Sequence, residues 1–146
     1  MPTAEEISMR HHQKSKRETG AQNAGMIAVL SHIDSAGFHG IDMALHEAQT
    51  SIDPIWSGIA RNARIAVAAT VWPEKVRAKA ERFTATAGQL AVALEQGDAK
   101  AAADHAREAH GAQHGLSSAG WNYLAGIAGI QGVDGSQEHG DPRHTQ

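Results

Sequence analysis

The chain contains no cysteine, which excludes disulfide frameworks, thiolate zinc ribbons, thiol redox chemistry and c-type haem attachment together. It has no run of about 18 apolar residues, so no transmembrane helix is expected. An excess of one charge is missing as well. Thirteen Lys and Arg stand against 16 Asp and Glu, a net charge of −3, which gives no bulk attraction to nucleic acid or to a membrane surface. Neither is expected as a partner. Aromatics are 4% of the chain and β-branched runs are nearly absent. With alanine abundant, helices packed closely through small side chains are the natural outcome.

Several catalytic signatures are absent too. There is no Glu-x-x-His pair of the di-iron carboxylate type, no His-Glu-x-x-His, no phosphate-binding glycine loop and no Gly-x-Ser-x-Gly elbow. No catalytic residue is assigned, and the balance leans away from an enzyme. The amino terminus, MPTAEEISMRHHQKSKR, opens with acids and lacks an apolar core segment. It does not read as a secretory signal, and a cytoplasmic location is expected; if a leader has been removed, the periplasm or the exterior takes its place.

What the chain does have is helical periodicity and histidine. Its 146 residues suit one domain. Residues 1–25 form a polar arm with only Ile7 and Met9 as sizeable apolar groups, and Thr3 is placed to cap a helix there. From Met26, the residues Ile27, Phe38, Ile41, Leu45 and Ile52 fall on one helical stripe, which Asp34–Gly37 either breaks or bends. A helix over about 54–71 follows, with Ile55, Ile59, Ala63, Ala66 and Thr70 on one side. The next, over about 73–96, carries the cleanest stripe: Val76, Ala80, Phe83, Ala87, Leu90 and Leu94. Gly97-Asp98 stops it and caps a last helix running from Ala99 to Ile127 or Ile130. The expected fold is all-α: an antiparallel four-helix bundle over 26–130, an N-terminal helical extension over 1–25, and a disordered tail over 131–146.

His110 and His114 are four apart, so one helix face presents both imidazoles, the simplest two-nitrogen offer to a metal ion. Asp42 and His46 have the same spacing, with His39 three residues before Asp42. His39 and His46 lie about 10.5 Å apart along a helix, too far to share an ion. His39 is therefore placed behind the ligands or in a neighbouring site. The leading expectation is a transition-metal site made by His110, His114, His46 and Asp42, with His39 beside it. Three imidazoles and a carboxylate suit zinc, copper(II), nickel or iron(II). Both strips lie beside their apolar stripes, so whether they converge depends on how the helices pack. His32 and His105 are read as surface or satisfied side chains.

Two other classes compete. One is a helical interaction or homodimerisation module, in which Trp56, Trp72 and Trp121 and a small-residue line through Gly111, Gly115, Ser118, Asn122 and Gly126 admit another helix. The other is a non-covalent haem protein or metal-dependent enzyme, with His ligation between helices, Met26 or Met43 as a distant second ligand, and Trp121 and Tyr123 as pocket walls.

Overall fold

A computed structural model describes residues 1–47 and 51–129, all of whose regular structure is helical. The expected tail over 131–146, and the later of the two expected ends of the last helix, Ile130, lie outside the described residues. Among the described residues five helices follow one another: α1 (Ala4–Ser35), α2 (Phe38–Leu45), α3 (Trp56–Ala68), α4 (Glu74–Glu95) and α5 (Ala99–Ile127). None is long and apolar enough to cross a membrane.

The N-terminal residues are helical and run without a break into the part of α1 that is buried. Thr3 and Glu6 form a reciprocal capping box: Thr3 Oγ1 accepts from the Glu6 amide, and a Glu6 carboxylate oxygen accepts from the Thr3 amide. From there α1 runs 32 residues, about 48 Å. Every residue from Met1 to Ala21 is exposed, and burial begins in earnest with Met26, Leu30 and Ile33.

At Ala36–Gly37 the helix stops. Gly37 has φ +97°, a left-handed conformation that disfavours a side chain, and it sends α2 off in a new direction. Because the phase of α1 is not carried into α2, Ile27 is 45% exposed although it shares a helical stripe with Phe38 and Ile41 on paper. The buried residues before the turn are Met26, Leu30 and Ile33; those after it are Phe38, Ile41 and Asp42. A similar shift occurs in α3, where Ala60, Ala63 and Val67 are buried and Ile55 is 64% exposed.

Around the core α1 packs on α5 and α3, α5 on α4, α4 on α3, and α2 on α5. All six expected stripe positions of α4 are buried. They meet an α5 face built largely of alanine (Ala102, Ala106, Ala109 and Ala112) with Leu116 and Gly120. Phe38 and Phe83 meet edge to face at 5.4 Å, an arrangement worth about 0.5–1.5 kcal/mol beyond area burial. Trp72 is buried, and its Nε1 donates to the Val67 carbonyl at 2.9 Å, closing the α3–α4 corner.

Candidate metal centre

The buried arc of α5 is centred about 30° from Leu116, toward the histidine side, since Ala102, Ala106, Gln113 and Gly120 are all inside. His110 is thereby brought to the edge of the core and is half-buried, while His114, one turn on, is exposed. Across from them stands α2. Its short apolar face, Phe38 and Ile41, seats it against α5 and carries Asp42 inward with them.

Asp42 is 9% exposed. Its Oδ2 lies 2.8 Å from His110 Nδ1. An ionised carboxylate only accepts, so His110 carries its proton on Nδ1 and presents the Nε2 lone pair away from Asp42. That Nε2 lies 2.9 Å from Nε2 of His114, with ring centroids 4.7 Å apart. Without an ion, His114 donates to His110. With both lone pairs turned to one cation, a tetrahedral centre would hold the two nitrogens roughly 3.3 Å apart, a small opening from the observed spacing.

His46 reaches the same carboxylate from the other side. Its Nδ1 is 2.8 Å from the Asp42 carbonyl oxygen, to which it donates, and 3.0 Å from Oδ1. Since the one N–H points to the carbonyl, Oδ1 is within ion-pair reach of the ring, sealed from solvent, and without a hydrogen-bond donor among the described residues. His39 stands edge-on to His110 with centroids 5.0 Å apart. Asp42, His46, His110 and His114 therefore form one continuous chain of contacts between α2 and α5, and His39 borders it. The contact between strips is Asp42 to His110; no hydrogen bond links His46 to His114 among the described residues. Nor do three or more His, Asp or Glu side chains converge there as a ready-made metal cage. The arrangement offers two imidazole nitrogens facing one another, with a carboxylate behind one of them.

A second polar cluster carries no histidine spacing and was not anticipated. Asp34, near the end of α1, accepts from Gln113 Nε2 through Oδ1 and from Trp121 Nε1 through Oδ2, each at 2.9 Å. The signal available in the sequence was Gln113 itself, a polar residue on the apolar arc of α5, since a buried amide needs a partner. Between this cluster and the histidines lies a cavity of about 400 Å³, bordered by Ile33, Asp34, Gly37, Phe38, His39, Gln113, His114 and Ser117.

Gly111 and Gly115 look onto Arg82 and Lys79 of α4, whose side chains lie over that part of the small-residue line, whereas Gly126 faces open space. Met26 is sealed in the core and Met43 is exposed. His32 is exposed; His105 is half-buried, with an Nδ1 sealed from solvent and unpartnered among the described residues. No protein-family model, no characterised protein and no solved structure matches this chain.

Proposed function

We propose that this protein binds one transition-metal ion through Nε2 of His110 and Nε2 of His114, on an antiparallel four-helix bundle formed by α1, α3, α4 and α5. The observation that carries the proposal is the Asp42–His110–His114 line. A carboxylate on the far nitrogen of an imidazole fixes its tautomer, orients the ring and raises its basicity, the usual support of a metal-bound histidine. Asp42 then acts on the ion through His110 rather than as a ligand. His46 acts on Asp42, and His39 packs against His110.

An imidazole pair suits zinc, copper(II), nickel and iron(II). Two protein ligands leave the other coordination positions to water or to a small molecule, an open site appropriate to delivery, sensing or metal-assisted chemistry. Titration of the purified protein with zinc, copper(II) and nickel, followed by calorimetry, tests this. One equivalent should bind, and His110→Ala and His114→Ala should each abolish it, while substitution of His139 and His144 leaves it intact. Stoichiometric binding that survives both helix substitutions would overturn the reading.

A further inference from the structure

The cavity beside His114 is also bordered by Asp34. Asp34 has two oxygens and about four acceptor positions, of which Gln113 and Trp121 occupy two with neutral donors. These donors fix the direction of the carboxylate without neutralising it. Among the described residues no Lys, Arg or His lies within ion-pair distance of Asp34. Asp34, itself exposed, therefore offers the cavity an oriented carboxylate with no cationic partner among the described residues. The buried Ile33 and Phe38 also border it, together with His39, Ser117 and His114. His114 is shared: it lines the cavity and also faces His110. An ion held by that pair would therefore have one of its two ligands on the border of the cavity.

We infer that the cavity binds a small amino acid, with its ammonium on Asp34 and its carboxylate on the ion at His114, where the Ser117 hydroxyl also donates to it. This rests on the metal reading above. Asp34 and an ion on His114 would be opposite in charge and border the same cavity with the apolar Ile33 and Phe38, which selects a zwitterion over a simple amine or a simple acid. A ligand that completes the coordination sphere also gives the open site its specificity, because a carboxylate without an ammonium leaves Asp34 unanswered.

Cobalt(II) serves as the probe, since its visible bands report changes in ligation. The cobalt-loaded protein is titrated with glycine, β-alanine, 4-aminobutyrate, 5-aminopentanoate and acetate. The bands should shift saturably with at least one of the amino acids, and acetate should bind at least about tenfold more weakly, the loss of one charged hydrogen bond. Asp34→Asn should keep the cobalt bands, weaken the amino acid by about the same factor, and leave acetate unchanged. Ser117→Ala provides a second variant that spares the α1–α5 contacts of Asp34, and it should weaken both ligands. Cobalt bands that no amino acid alters, or amino acid affinity untouched by Asp34→Asn, would overturn this inference alone. Absence of any cobalt bands before an amino acid is added would overturn it together with the metal reading.

Discussion

Replacing Asp42 by asparagine keeps the shape of the side chain but removes its charge and turns one acceptor into a donor. In either orientation the amide sets its NH2 against one of two Nδ1 atoms: that of His110, from which Oδ2 accepts, or that of His46, 3.0 Å from Oδ1, whose N–H already goes to the Asp42 carbonyl. His110 loses its fixed tautomer, so metal affinity should fall by about 10–100-fold while both ligands remain. Calorimetric titration of Asp42→Asn against wild type measures it; equal affinities would mean that the carboxylate does not orient His110. Gly120 is a second residue where one atom decides the outcome. A Cβ there would lie 2.7 Å and 2.9 Å from the two terminal methyls of Leu30, which is fully buried. Alanine gains about 1 kcal/mol of helix propensity, but displacing a packed isobutyl group costs about 1–3 kcal/mol. Gly120→Ala should therefore be neutral to destabilising by about 2 kcal/mol in wild type. In a Leu30→Ala background the same change should become stabilising by about 1 kcal/mol, because the obstruction is gone. Urea unfolding of the four proteins in this cycle reads the coupling directly.

At the scale of helices, the arm formed by the first two-thirds of α1 is held by its own hydrogen bonds and by the Thr3–Glu6 box, with no side chain buried before Gln22. Removing residues 1–20 should leave the unfolding free energy of the remainder within about 0.5 kcal/mol of wild type, as changes to exposed surface away from special features do. A larger loss in chemical denaturation would show that the arm packs on the core. The α3–α4 pair carries a different contribution. Arg61 donates to both carboxylate oxygens of Glu95, and this hydrogen bonding holds the Glu95 pKa below its ordinary value, outweighing the slight burial that raises it. Arg61 is correspondingly raised. A depressed carboxylate stabilises the fold above its unfolded pKa and loses that contribution as pH falls through the folded one. The melting difference between wild type and Glu95→Gln should thus be present at neutral pH and shrink below about pH 4, and salt should reduce it since the pair is exposed. A difference constant with pH would mean that packing, not charge, links these residues. Elements of this kind differ in how openly the sequence announces them. The α4 stripe is legible because Val76, Ala80, Phe83, Ala87, Leu90 and Leu94 keep one register along an unbroken helix. In α3 the expected face runs through Ile55, Ile59 and Ala63; Ala63 is buried, but with Ala60 and Val67, while Ile55 is exposed, because the buried arc is rotated toward Ala60 where small side chains allow close approach to α4.

For the molecule as a whole, the decisive event lies at Gly37, and it explains why the histidine strips were readable singly but not as a pair. A helix continuing from α1 would carry Asp42 along the α1 axis; the left-handed turn instead lets α2 lie on α5 by its own apolar face. Asp42 and His110 are 68 residues apart in sequence, and no periodicity within either helix encodes their 2.8 Å contact. Metal binding should accordingly register as global stability. At an ion concentration 100 times Kd, the folded state gains about 2.7 kcal/mol, which for a domain of this size is a rise in melting temperature of roughly 5–15 °C. The gain should diminish as acid protonates the imidazoles that must be neutral to ligate. His110→Ala and His114→Ala should each remove it. His46→Ala is the informative variant, because His46 touches Asp42 and no ligand nitrogen. If the ion sits between His110 and His114, His46→Ala retains most of the thermal gain, with a modest loss from a less firmly held Asp42. Should His46→Ala erase the gain as completely as His114→Ala does, the ion must instead be shared across α2 and α5. The sealed Oδ1 of Asp42 would then be a ligand rather than a support.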